Sequence, residues 1–171
     1  MKINNTKIKV EAIDFGGLKL ADANKIKSIR VKVEASHSGM INKNNFLYIP
    51  SAMRDGVDSW IDNPVIYGHD SDNLKDISKH LGYIDDAKYV HYEEFGQDVL
   101  DFDSIDDIIS ILEEADARKL YDSESEYKGL GHIELIATID KPDAIKKILD
   151  GTYSDVEIGG DAKDVYCSIC S

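Results

Sequence analysis

Two stretches roughly a hundred residues apart constrain the fold more than anything else in the chain, because both alternate apolar and polar side chains. In Ser28 to Ala35, Ile29, Val31, Val33 and Ala35 share one parity, and Arg30, Lys32 and Glu34 the other. In the second, Ile133, Leu135, Ala137 and Ile139 alternate with His132, Glu134, Ile136 and Thr138. A period of two belongs to a strand with one face on a core and the other on a polar surface. A weaker alternation over Lys7 to Phe15 predicts a further strand, broken by Gly16-Gly17, and Ala21 to Lys27 suits one or two helical turns.

Between the two anchors the signals are shorter. Ser36-His37-Ser38-Gly39 reads as a turn, and its Ser-His-Ser cluster is set aside as a catalytic unit, because nucleophile and base usually come from separate elements. Asn42 to Asn45 reads as a polar loop and Phe46 to Ile49 as a brief apolar segment. Pro50 then suits the first position of a helix running from Ser51 to Ile61, with Met53, Val57 and Trp60 or Ile61 inward. Asp62-Asn63-Pro64 ends it, and Pro64 to His69 predicts a short buried strand delivering His69 beside Gly68 and Asp70. A histidine there can exchange protons near neutral pH. Taken alone, a structural histidine is the simpler reading, since no second catalytic group adjoins it.

A short helix is expected around Leu74 to His80, then strand at Leu81 to Ile84 and from Ala87 to Tyr92. His80 and His91 have no spacing that links them to a third ligand. Glu93 to Glu126 is acid-rich and reads as an insertion. Within it, Ser104 with Asp107 marks a helix start, and Ile105, Ile108, Ile109, Leu112 and Ala115 form one stripe of a helix running to Leu120. Gly129-Leu130-Gly131 resets the chain before the second anchor strand. Pro142 and Asp143 open a helix closed by Gly151, with Ala144, Ile145, Ile148 and Leu149 inward. Ser154 to Gly160 reads as a strand, with Asp164 to Cys170 as its hairpin partner.

Composition narrows the function. The formal net charge of −13 opposes binding to a phosphate backbone, which needs a basic surface. No run is long enough to span a bilayer and the N-terminus lacks the apolar core of a signal peptide, so the expectation is a protein that stays where it is made, with no membrane partner. Cys167 and Cys170 form half of a zinc-type spacing. Two thiolates do not close a tetrahedral site, so free cysteines are the expectation and no metal or other cofactor is assigned.

Three segments then fall into a familiar order: Pro-Val-Ile-x-x-His at 64–69, Gly-Leu-Gly-His-Ile-Glu-Leu-x-Ala-x-Ile at 129–139, and the helix-then-strand unit at 144–160. Together they resemble the prohead, or capsid maturation, serine proteases of tailed bacteriophages, relatives of the herpesvirus assemblin proteases. The resemblance covers most of the chain from about Asn63 onward and interrupts it with the insertion at 93–126. It implies that His69 is the general base. The family's apolar-Ser-x-Gly pattern falls on Val156-Glu157-Ile158-Gly159, so Glu157 stands at the place of the nucleophilic serine. Ser154 is the alternative nucleophile, although residues three apart on a strand face opposite ways. His132 or Glu134 could orient the base, whereas Asp70 adjoins His69 and points away. Gly159-Gly160 would supply oxyanion donors.

The expected fold is a single α+β domain over 1–171, a mostly antiparallel β-barrel or closed sheet surrounded by helices. Its end at Ser171, midway through the cysteine motif, reads as a truncated or processed form. The expected function is an endopeptidase of procapsid maturation, inactive as written because of Glu157. Its substrates would be phage scaffold and major capsid proteins, inside the assembling procapsid in the host cytoplasm, with self-association left open. The alternative is a capsid-assembly or scaffold-binding protein that keeps the fold without cleaving.

Overall fold

The computed structural model describes residues 6–9, 26–42, 44–68, 75–121, 126–153 and 155–156. Its strands are β1 (Thr6–Lys9), β2 (Ile29–Ser38), β3 (Pro64–Ile66), β4 (His80–His91), β5 (Gly131–Ile139) and β6 (Asp155–Val156). They form one sheet in the order β3-β4-β5-β2-β1-β6, with every pairing antiparallel. Among the described residues, four α-helices, α1 (Pro50–Gly56), α2 (Ile105–Ile111), α3 (Glu114–Ala117) and α4 (Pro142–Leu149), make the architecture α+β. The sheet is open: among the described residues its outer strands β3 and β6 do not pair, so the expected closed barrel is not seen there.

The alternating patterns are realised with the expected faces. Ile29, Val31, Val33 and Ala35 of β2 and Ile133, Leu135, Ala137 and Ile139 of β5 are all buried. They pack with Ile84 and Ala87 of β4, Met53 of α1, and Ala144, Ile145 and Ile148 of α4. Each large aliphatic side chain withdrawn from water this way contributes about 1.5–3 kcal/mol before conformational entropy is counted. For α4 the local code is complete: Pro142 opens it, Asp143 lies in its first turn, Lys146 and Lys147 lie in its last, and Gly151 follows at φ 78°.

Several elements differ from the sequence expectation. The helix read over Ser51 to Ile61 is α1 followed by a 3-10 turn at Val57–Trp60. The short helix expected at Leu74 to His80 is a 3-10 turn at Ile77–Lys79 among the described residues. The two strand segments at 81–84 and 87–92 are one strand, β4, whose register against β5 shifts between Ile84 and Asp86. That bulge lets a single strand serve two patterns of opposite parity. Among the described residues the strand expected to run to His69 is Pro64–Ile66, and its side chains are half-buried rather than buried; His69 lies outside the described residues.

The insertion behaves as a satellite layer. Its expected helix over 105–120 is broken: α2 stops before Leu112, which is extended at φ −88° and ψ 134°, and α3 and a 3-10 turn at Arg118–Tyr121 follow. The start is as read, with a full capping box between Ser104 and Asp107. Ile108, Leu120 and Leu130 form a second core, flanked by Leu47, Ile49, Phe95, Phe102, Ile111, Leu112 and Tyr127. Ile109, inside α2, is 39% exposed, although the sequence stripe placed it inward. The chain returns to the sheet at Gly129 (φ 86°), where a Cβ would stand 2.0 Å from the Ser38 carbonyl oxygen.

Candidate functional site

The residues that carry the protease resemblance cannot be placed directly. His69, Asp70, Ser154, Glu157, Gly159, Gly160, Cys167 and Cys170 lie outside the described residues. Their flanks are described, and these meet. Tyr67 follows the last residue of β3, and Tyr153 follows α4 and immediately precedes Ser154. Their rings stack with centroids 5.9 Å apart at an interplanar angle of 28°. Lys147 Nζ donates to the Tyr153 hydroxyl at 3.2 Å and lies 5.0 Å from its ring centroid. The Tyr153 hydroxyl holds the Lys147 ammonium above the usual lysine range, with the tyrosine's charge and those of Tyr67 and Asp143 adding to the effect. Tyr67 is 56% exposed, so this is a surface aromatic pair and not a core contact.

His132 and Glu134 sit elsewhere on the sheet. Ile66 at the end of β3 pairs with His80, whereas Glu134 pairs with Lys88 and His132 with Val90. At about 3.3 Å per residue, those rows are roughly 26 and 33 Å along β4 from the row of Ile66. Glu134 is buried and takes ion pairs from Lys32 and from Lys88, the latter at 2.9 Å. Burial pushes its carboxyl up, but the two ammonium groups outweigh that and hold it below the usual carboxylate range. A carboxylate engaged on both sides this way is a structural anchor of the sheet's polar face. Arg30 and Thr138 extend the same face, both donating to Asp85.

His132 belongs to a second constellation that sequence reasoning did not assemble. The register between β2 and β5 shifts between Glu34 and His37. This bulge carries His37 onto the face of Glu34, directly opposite His132, and sends Ser38 to the core face. The two imidazole centroids are 5.6 Å apart, and Tyr92, just past β4, lies 5.6 Å from His132. The Tyr92 hydroxyl is 3.3 Å from His37 Nδ1 and 3.2 Å from His132 Nδ1, and His37 Nδ1 is 3.0 Å from the Lys128 carbonyl oxygen.

On the core side, Ser38 is fully buried and its hydroxyl pairs with that of Tyr89 at 2.6 Å. Ser38 therefore points away from His37, and the Ser-His-Ser cluster is no nucleophile and base pair. Burial lowers both histidines below their ordinary value and raises the Tyr92 phenol to about 12. The only hint in the sequence is that His37 and His132 each adjoin an alternating strand; pairing them requires the bulge, which no residue there announces.

His80 and His91 stand at opposite ends of β4, and His91 Nε2 is 2.7 Å from Gln97 Nε2. No group of three or more histidine, cysteine or acidic side chains among the described residues could hold a metal ion. A shallow recess is lined by His91, Tyr92, Glu93 and Glu94. No helix among the described residues is long and apolar enough to cross a membrane. No protein-family model, no curated protein and no solved structure matches the chain.

Proposed function

We propose that this chain is a prohead-type maturation endopeptidase whose nucleophile position is occupied by Glu157, so that the chain as written binds its substrates but does not cut them. The observation that carries the reading is the Tyr67–Tyr153 stack, which joins the segment leading to His69 to the segment leading to Ser154 and Glu157. Two segments far apart in sequence, each singled out for its chemistry, thus approach one another at their described ends.

The chemistry follows from the side chains. With serine at 157, His69 takes the hydroxyl proton as the oxygen attacks a scissile carbonyl, and returns it to the leaving amine. Water then releases the acyl group by the same route, while backbone N–H groups near Gly159-Gly160 hold the oxyanion. Glu157 can pair with a protonated His69 but forms no productive acyl-enzyme in this geometry. The substrates would be scaffold and shell proteins of a phage procapsid, met inside the assembling particle. Glu157→Ser is expected to restore cleavage of a co-expressed scaffold protein or of the chain's own tail. If that variant stays inert while Ser154→Ala abolishes cleavage in an active full-length form, Ser154 is the nucleophile.

Glu157 itself favours a second reading, a capsid-assembly protein that keeps the fold and binds shell or scaffold without cleaving it. Co-sedimentation with shell protein, with both partners intact and the Glu157→Ser variant still inert, would decide for it.

A further inference from the structure

The constellation at His37, Tyr92 and His132 stands at the place where the acidic insertion leaves and rejoins the sheet. Tyr92 is the exit residue: its N–H donates to the Leu130 carbonyl. Lys128 lies on the return, and Leu130 N–H donates to Ser38. His37 on β2 holds the Lys128 carbonyl and contacts the Tyr92 hydroxyl, so a single ring touches both ends of the insertion.

The partners fix the protons. A carbonyl oxygen only accepts, so His37 Nδ1 carries its proton toward Lys128. The Tyr92 hydroxyl then accepts from that same N–H and donates its own proton to His132 Nδ1. His132 keeps its proton on Nε2, and that atom is buried without a hydrogen-bond partner among the described residues, in a residue 6% exposed. This relay has one arrangement that uses every proton, and His132 must be neutral in it, whereas His37 donates from Nδ1 in either charge state. A proton added to His132 Nδ1 makes both Nδ1 atoms donors toward one hydroxyl, displaces the hydroxyl's proton from its acceptor, and leaves a buried cation with an unpartnered N–H 5.6 Å from the other ring.

We propose that His37, Tyr92 and His132 form an acid-sensitive clasp, which holds residues 93–121 of the insertion against the sheet when His132 is neutral and releases them when it is protonated. Charged groups surround the pair on every side. Glu34 on β2, Glu134 on β5 and Glu94 in the insertion bear on the constellation, and the first two favour protonated rings. Lys32 on β2 and Lys128 on the return segment oppose protonation, and burial outweighs the carboxylates. The sign follows. With the folded-state value of His132 depressed below 6.5, the clasp is fully present above that ordinary value and is lost as the pH falls through the lower folded value.

The inference does not rest on the protease reading, and hydrogen exchange on the whole chain tests it. Going from pH 7.5 to pH 5.5, and after correction for intrinsic exchange, amides of 93–121 are expected to lose protection, about tenfold for each unit of pH between 6.5 and the depressed folded-state value of His132. Amides of Leu135 to Ile139 should hold theirs. The His37→Gln, His132→Gln double variant should lose this pH step, and Tyr92→Phe should loosen the insertion at both pH values. An unchanged step in the double variant would assign the effect to the insertion's carboxylates and overturn the clasp. So would a wild-type chain with no step, or an equal loss in β5. Should the double variant not fold, ring-proton titration of the wild-type His132 decides, because a midpoint at or above the ordinary value of 6.5 refutes the idea.

Discussion

The two ends of β4 are built on opposite principles. At the His80 end, β3 contributes a three-residue edge and the neighbouring side chains are large and wet: Tyr67, Ile77 and Tyr83 are 56%, 76% and 46% exposed. At the His91 end, polar groups are buried and hydrogen-bonded, and a second apolar core lies beyond them. Exposed aromatics beside a short edge strand leave apolar area in contact with water. Buried polar groups that accept one proton arrangement instead define a single closed conformation. An exposed aromatic edge and a buried polar network thus occupy separate ends of one strand.

Four substitutions sharpen or break this contrast. The largest effect belongs to the His91 end: Leu130→Ala removes a fully buried side chain at the centre of the second core and should cost about 2–5 kcal/mol in urea unfolding. The loss should fall on the insertion first, with exchange at Val31 and Ile139 changing least. Next comes Gly82→Ala at the other end, where a Cβ would stand 1.9 Å from the Thr138 carbonyl oxygen. A cost of about 1–3 kcal/mol is expected, with the pairing of β3 disturbed and the clasp intact by histidine ring-proton shifts.

Ser104→Ala should cost about 1 kcal/mol by removing half of the capping box, read as faster exchange confined to α2. Smallest is Tyr67→Ala, which should lower stability by about 0.5–1.5 kcal/mol, since an exposed aromatic pair adds little beyond its contact area. The same change should weaken binding of scaffold or shell protein in co-sedimentation far more than it changes the unfolding midpoint. Equal binding by Tyr67→Ala and the parent chain would dissolve the functional contrast between the two ends.

What could be read from the sequence follows its periodicity. The inward faces of β2 and β5 were legible because strict alternation has one structural meaning, and α4 because Pro142, Asp143 and Gly151 mark both of its ends. The break at Leu112 was not, since no glycine or proline stands there and apolar residues continue on helical spacing to Leu120. Two bulges hid the rest. One fuses the segments of β4 through Asp85, and the other swings His37 across from His132. A bulge moves side chains by one parity and is a property of a pair of strands, so a pattern read along either strand alone misses it. For the candidate site, the segment around Pro64 to Tyr67 and the helix before Tyr153 were both singled out, but their aromatic contact depends on tertiary packing. The openness of the described sheet likewise depends on which distant strands pair.

The hydrogen bond from Tyr92 to the Leu130 carbonyl has a consequence for engineering. Chain exit and chain return are neighbours on adjacent antiparallel strands, so everything from Glu93 to Gly129 can be viewed as an ornament hung on what would otherwise be an ordinary β-hairpin. A two-residue Asn-Gly linker would bridge that gap. With Leu47 and Ile49 recoated in polar residues, such a miniature would isolate the sheet and leave a port into which foreign loops could be spliced.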